Sequence, residues 1–283
     1  MTAGSLEPGL YMVATPIGAA RDITLRALDI LASADVIAAE DTRTARKLMD
    51  IHGIPMAGRK LVAYHDHNAS AMRDKLVEAV REGASVACVS EAGTPMVSDP
   101  GFDVARAVAE QGLPVRTAPG ASALLAALCV AGLPTDRFLF AGFPPAKSAA
   151  RRRWLSEITE QSCTTVLYES PRRVLATLRD LSDLAGNDRL VAVCRELTKR
   201  FEETLRGPLA DVIAELETRT SIKGEIVVVI GGMADGPGTD PEPMLRKALN
   251  SMRVKEAVAL VTEATGLPRK DIYQLALRLK DED

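Results

Sequence analysis

Cysteine is scarce in this chain and dispersed: Cys88, Cys129, Cys163 and Cys194 stand tens of residues apart with no C-x-x-C pair. A disulfide scaffold and a zinc knuckle are therefore excluded. Cys88 and Cys194 lie inside apolar runs and are expected to be buried structural thiols. There are three histidines. His65 and His67 have a possible metal spacing but no third ligand at a recognisable interval, so no metal is expected there and a substrate-side loop or helix cap is the better reading. No apolar run approaches the roughly 18 to 20 residues that span a bilayer; the longest, Ala121 to Leu133, is closed off by Gly132 and Pro134. The first residues have neither a basic start nor a long apolar stretch, so no secretory signal is read, and a cytoplasmic location without a membrane partner is expected. Also missing are G-x-x-x-x-G-K-[ST], a G-x-G-x-x-G after the first strand, and G-x-S-x-G. Their absence argues against a Walker-type nucleotide site, a Rossmann dinucleotide site and a nucleophile-elbow hydrolase.

What is present is an ordinary folding composition, 47% hydrophobic and 26% charged over 283 residues, enough for about two domains. Short apolar runs (10–14, 36–39, 61–64, 85–90 and 115–118) alternate with helical segments over 24–32, 42–52, 68–82, 101–111 and 121–131, with Asn68 as the expected cap of the third. Five strands with intervening helices predict a mostly parallel α/β lobe over residues 1–131. A second series follows over 132–232, with strands at 138–142, 164–169, 190–196, 201–206 and 225–230. Helices are expected at 148–160, 171–184 with proline in its first turn, and 208–218. The third and fourth of these strands leave no room for a helix between them and should pair antiparallel, giving a mixed sheet. Residues 233–243 have linker composition, and 244–283 read as three short helices, a helix-turn-helix-like module that either packs or contacts RNA.

Three strand-to-helix loops of the first lobe are rich in small residues: Thr15 to Gly18, Ser90 to Gly101 and Pro119 to Ser122. Ligands of open parallel sheets bind beyond the carboxyl ends of the strands. Three such loops on one edge point to a composite small-molecule site, although each alone reads equally well as a tight turn. Charge is near balance, 35 Lys and Arg against 38 Asp and Glu, but the middle third bunches Lys147 with Arg151, Arg152 and Arg153, then Arg172 with Arg173, then Lys199 with Arg200. Such runs suit either a solvated helix face or an anionic polymer.

Several segments carry a resemblance. Val13 to Gly18 followed by Asp22 to Leu28, the Glu40-Asp41-Thr42-Arg43 run, and above all Ser90 to Gly101 resemble the ribosomal RNA small subunit methyltransferase I family, within the tetrapyrrole-methylase-like superfamily. Tyr168 to Arg173, Arg195 to Lys199 and Lys223-Gly224-Glu225 continue the likeness along the whole chain. Glu91 stands where that family usually has Asp, and Ala19-Ala20 where Asn-Leu is more typical.

The resemblance implies a two-lobe tetrapyrrole-methylase-like fold with a helical tail, commonly a homodimer. It also implies transfer of a methyl group from S-adenosyl-L-methionine to the ribose 2′-oxygen of a cytidine in the decoding region of small-subunit rRNA, free or in the assembled small ribosomal subunit. Carried over by position, the cofactor would touch Pro16, Gly18, Gly93, Thr94, Val97, Ser122 and Ala123, with Tyr168 and Leu197 closing the site from the second lobe. Candidates for a general base are Glu169 and Glu196, then Glu203 and His65, each of which also fits a structural ion pair or loop role. Arg151, Arg152, Arg153, Arg172, Arg173 and Lys199 are the expected phosphate contacts. A tetrapyrrole methyltransferase of the same fold and a nonenzymatic RNA-binding module remain as alternatives; one Trp, four Tyr and five Phe offer little stacking surface for a tetrapyrrole.

Overall fold

A computed structural model describes residues 6–65, 68–96, 101–233, 241–250, 252–265 and 267–281. The first lobe is a parallel sheet of β1 (Gly9–Val13), β2 (Val36–Ala39), β3 (Lys60–Ala63), β4 (Ser85–Val89) and β5 (Val115–Ala118), in the order β3-β2-β4-β1-β5. Strands buried on both faces read as unbroken apolar runs, which is why all of β1 and β4 is buried. Alternate residues of β1 face opposite layers. Tyr11 and Val13 pack with Ile30 and Leu31 of α1 (Leu25–Ser33) and Met49 of α2 (Thr42–Ile51). Leu10 and Met12 pack with Leu76 and Val80 of α3 (Ala69–Arg81) and Val104 and Val108 of α4 (Phe102–Glu110).

Two caps are as their residue types dictate. Thr24 Oγ1 accepts the Ala27 N–H at 3.1 Å, and Asp41 accepts the Arg43 N–H at 2.7 Å, each satisfying an orphan donor of a first turn. Asn68 stands at the N-cap of α3 as expected, its carbonyl accepting the Met72 N–H, but its side chain makes no capping bond and instead accepts the His65 N–H and donates to Ala63 O, both at 2.9 Å.

The second sheet runs β6-β7-β10-β8-β9, with β6 (Phe138–Gly142), β7 (Thr164–Glu169), β8 (Leu190–Arg195), β9 (Glu203–Pro208) and β10 (Ile226–Ile230). The β6–β7 pair is parallel and the rest antiparallel, so the sheet is mixed, with β8 and β9 adjacent. One face packs on α6 (Ser148–Thr159), α7 (Val174–Ala185) and α8 (Leu209–Glu217). The other face receives α5 (Ala123–Ala131), whose Leu124, Ala127, Leu128 and Ala131 lie against Val166, Ala192, Cys194, Val227 and Val229. α5 thus follows the first sheet in sequence but covers the second. Its nearly unbroken apolar surface is what lets it lie between layers.

Two further expectations shift. α7 begins at Val174, since the N–H groups of Arg173 and Val174 both bond to Ser170 O at 3.0 Å and make Pro171–Arg173 a turn. The strand expected at 201–206 starts at Glu203, leaving Phe201 in the preceding turn, 63% exposed. In the tail, α9 (Pro241–Leu249), α10 (Val254–Thr265) and α11 (Arg269–Asp281) share a small core of Leu245, Val258, Val261, Ile272, Ala276 and Leu279. α9 starts inside the segment read as linker. Among the described residues no helix is long and apolar enough to cross a membrane.

Candidate active site

β4, β1 and β5 are neighbours in the sheet, so their three following loops leave the same edge side by side. Backbone bonds join them. Thr15 N–H donates to Gly93 O at 2.8 Å and Gly93 N–H returns to Thr15 O at 3.1 Å. Ser90 Oγ donates to Gly93 O at 2.9 Å, and Thr94 Oγ1 to Ala121 O at 2.9 Å. Gly93 has φ +85°, a conformation that favours glycine, and a Cβ there would stand 3.3 Å from Ile17 Cγ2; one on Gly120 would meet Ala14 Cβ at 2.8 Å. These glycines therefore serve loop-on-loop packing first, and the ledge they form is joined by backbone and hydroxyl hydrogen bonds without ion pairs.

Above that ledge the second lobe closes a cleft of about 490 Å³, within the usual range for small-ligand sites. The first lobe contributes Ile17, Gly93, Thr94, Ser122 and Ala123, and the second Phe143, Tyr168, Pro171, Leu197 and the strand start Gly224–Val227. Tyr168 is fixed from two sides: its hydroxyl accepts the Leu124 N–H at 3.2 Å, at the start of α5, and Phe140 and Phe143 meet its ring edge to face at 4.9 and 5.5 Å. A helix opening has N–H groups without intrahelical acceptors, and the tyrosine satisfies one of them. Cys194 also faces the cleft, and burial pushes its thiol up to about 11, so it is an inert wall group; Cys88, in the first-lobe core away from the cleft, is pushed up to about 12 in the same way.

Of the expected cofactor contacts, Gly93, Thr94, Ser122, Ala123, Tyr168 and Leu197 come together around this one cleft. Pro16 and Gly18 do not line it, although Ile17 between them does. Gly18 packs across the lobe junction, where a Cβ would come within 2.6 Å of Thr198 Oγ1. Val97 and His67 lie outside the described residues. Two carboxylates at the mouth, Glu40 and Glu91, follow β2 and β4; the sequence marked them only as parts of the family resemblance and not as site residues, and Glu91 N–H donates to Glu40 Oε2 at 3.3 Å. The rule that ligands gather beyond the carboxyl ends of strands applies to both positions and was available to find them.

The acid–base candidates are committed elsewhere. The Glu169 side chain is 0% exposed; Oε1 accepts from Ser170 N–H and the Arg173 guanidinium and Oε2 from Thr177 Oγ1, all within 2.8 Å. Glu169 lies along the cleft wall, and these bonds make its carboxylate part of the frame of the 170–173 turn. Glu196 accepts from Glu225 N–H at 2.9 Å and Lys199 Nζ at 3.0 Å, and these two bonds hold its carboxyl below the ordinary range. Glu203 is bonded by Arg219 and then Arg195, which bring it down to about 2 and leave it too weak a base for proton removal at neutral pH. His65 sits in the loop after β3, where its N–H bonds to Asn68.

The basic clusters divide in the same way. The Arg151 side chain is 8% exposed and pairs with Asp180 at 2.7 Å, so it faces the protein interior. Arg152 pairs with Asp180 and Asp183 at 2.8 Å, Arg173 with Glu169 at 2.7 Å, and Lys199 with Glu196 and Glu225 at 3.0 and 3.1 Å. Arg153 and Arg172 are exposed and make no ion pair among the described residues.

Comparison with known proteins matches the geometry. Residues 9–213 match the family described as Tetrapyrrole (Corrin/Porphyrin) Methylases, and residues 235–280 the RsmI C-terminal HTH domain. The ribosomal RNA small subunit methyltransferase I of Mesorhizobium japonicum is 43% identical over 99% of this chain and 95% of its own length, and that of Haemophilus influenzae 41% identical over 95% and 96%. A uroporphyrin-III C-methyl transferase from Thermus thermophilus, solved in complex with S-adenyl homocysteine, shares the fold with a TM-score of 0.52 and 21% identity, over 80% of this chain and 98% of that one. Identity above 40% along nearly the whole length, joined to a two-lobe methylase fold and a matching tail, places this chain in the ribosomal RNA small subunit methyltransferase I family, whose methyl donor is S-adenosyl-L-methionine.

Proposed function

We propose that this chain methylates the ribose 2′-oxygen of a cytidine in the decoding region of small-subunit rRNA, with S-adenosyl-L-methionine seated in the interlobe cleft. The observation that carries the placement is a ledge of three joined loops without lysine or arginine, facing an aromatic and aliphatic second-lobe wall. Such a surface suits an adenosine and a sulfonium better than a polyphosphate, which asks for lysine or a ring of free amides. The donor set fits: Ser122 precedes α5 with no side-chain capping bond, so its hydroxyl is available to a ligand. Glu40 and Glu91 set negative charge beside a cofactor that carries an ammonium and a sulfonium. Tyr168 and Leu197 supply the apolar cover. Family membership favours an RNA substrate over a tetrapyrrole and an enzyme over a purely binding module.

When bound, the cofactor supplies an electrophilic methyl group. The protein's larger contribution is alignment of the ribose oxygen behind the sulfur–carbon bond, for which the hydrogen-bonded ledge and the doubly held Tyr168 provide fixed reference points. With Glu169, Glu196 and Glu203 engaged in structural bonds, catalysis here rests on positioning and exclusion of water. The exposed Arg153 and Arg172, with the helical tail, are the RNA-facing elements in this reading, and the acting form is a cytoplasmic homodimer on rRNA or the assembled small subunit.

The test combines cofactor binding with product analysis. Gly93→Val should crowd Ile17 and the cleft and weaken S-adenosyl-L-methionine binding at least tenfold by calorimetry, about 1.4 kcal/mol, in a variant that stays folded. On purified small subunits the wild-type enzyme should create one site resistant to alkaline cleavage, because hydrolysis of RNA by base needs a free 2′-hydroxyl. Methylation that leaves every position alkali-sensitive would assign the methyl group to a base instead.

A further inference from the structure

The turn that follows β8 is strained and holds two partners at once. Glu196 and Thr198 are non-glycine residues with φ +52° and +63°, a left-handed conformation that costs energy unless its surroundings enforce it. From the second lobe, Glu196 N–H donates to Glu225 O at 2.9 Å, while its carboxylate accepts the Glu225 N–H and Lys199 Nζ. Gly224 has φ +94°, and a Cβ there would stand 2.6 Å from Glu196 Oε1, so glycine makes the room that the carboxylate fills. Thr198 N–H donates to Glu202 Oε2 at 2.7 Å. Toward the first lobe, Thr198 Oγ1 accepts the Ala19 N–H at 3.2 Å, and Gly18 lies directly under Thr198 and Lys199. The first-lobe bond is to backbone, so alanine at position 19 does not weaken it. Between the two strained residues sits Leu197, buried and facing the cleft.

We infer that this turn is an interlobe latch: Thr198 and Glu196 are positioning residues that fasten the second lobe onto the Gly18–Ala19 backbone and thereby press Leu197 onto the bound cofactor. The inference rests on the reading that the cofactor occupies the cleft. Strain at 196 and 198 is the expected cost of aiming residue 197 inward while residue 198 reaches across the junction. Local packing alone would be met by an ordinary turn without a bond to the opposite lobe.

Thr198→Val keeps the shape and removes the acceptor, and Thr198→Ser restores it. Loss of one such bond corresponds to about a fivefold change in an equilibrium constant. For Thr198→Val the Kd and KM for S-adenosyl-L-methionine should rise about fivefold to tenfold, with kcat at saturating cofactor within about twofold of wild type; Thr198→Ser should bind like wild type. Gly224→Ala, which displaces Glu196, should shift Kd in the same direction and is scored only if its melting transition remains cooperative. Gly93→Val serves as the control for the cleft. If Gly93→Val loses affinity while Thr198→Val binds like wild type, the latch is overturned and the cleft reading stands. If Gly93→Val itself binds normally, the cleft reading fails and the latch falls with it. A Thr198→Ser as weak as Thr198→Val, or a drop in kcat with unchanged KM, also overturns the latch.

Discussion

The two walls of the cleft are held by different forces. On the first-lobe side Thr15 and Gly93 exchange N–H and C=O groups, and Ser90 and Thr94 donate hydroxyls to backbone, so that no ion pair is used to join these loops. On the second-lobe side the turns are tied by ions: Glu169 to Arg173, and Glu196 to Lys199. The same lobe's outer layer is pinned by Arg151 and Arg152 to Asp180. A ledge without ion pairs can be desolvated by a ligand at little cost, whereas each buried ion needs its partner to remain buried at all. The first-lobe ledge is therefore built without ion pairs, its carboxylates Glu40 and Glu91 standing at the mouth, whereas the charges of the opposite wall are consumed in shaping it.

The strongest way to break this contrast is to remove the buried carboxylate. Glu169→Ala strands the Arg173 guanidinium and Thr177 hydroxyl and should cost about 3 to 5 kcal/mol, read as a lower midpoint in urea unfolding. A base at this position would behave otherwise, with stability retained and turnover lost. Next comes Arg151→Ala, which leaves Asp180 with Arg152 alone and opens a gap under α6; a loss of about 2 to 3 kcal/mol is expected by the same measurement. Its effect on RNA binding, corrected for the folded fraction, should be negligible.

Acid offers a third handle. Glu203 has its folded-state pKa depressed to about 2 by Arg219 and Arg195. A depressed carboxylate contributes stability that is fully present above its unfolded value near 4.5 and is lost as pH falls toward 2. The amount is on the order of 2 to 3 kcal/mol. Urea midpoints measured between pH 6 and pH 3 should therefore fall less steeply in Glu203→Gln than in wild type. Equal slopes would show that the Arg219–Glu203–Arg195 cluster adds nothing to stability.

How far the sequence disclosed these features follows from the range of the interactions. Strands β2, β5, β6 and β7 were readable to the residue because local apolar runs define them, and the three loops stood out because small residues cluster in them. α7 was misjudged by three residues, since proline at 171 opens a turn whose geometry is set by Ser170 O and the Glu169 carboxylate. The face that α5 covers depends on a sheet formed by residues far downstream, and periodicity is silent on which of two sheets an all-apolar helix joins. Charge is the hardest case. Arg151 and Arg153 look alike in a run of three arginines, yet Asp180, 29 residues on, makes one internal and leaves the other outside.

The smallest effect tests the other half of the contrast, that the exposed arginines of the second lobe serve RNA. Arg153 and Arg172 have no ion pair among the described residues, so replacing either with Ala should change stability by less than about 0.5 kcal/mol. Their contribution should surface only in the salt dependence of RNA binding. Each phosphate contact releases counterions and adds roughly 0.7 to 0.9 to the slope of log affinity against log salt, so Arg172→Ala should lower that slope by about one and leave cofactor affinity alone. Arg152→Ala, whose guanidinium already faces Asp180 and Asp183, should leave the slope within error of wild type. Titrations of the three proteins at four or more salt concentrations decide it: equal slopes for all would mean that Arg172 holds no phosphate, and a drop for Arg152→Ala as large as that for Arg172→Ala would mean that an internally paired arginine still reaches RNA.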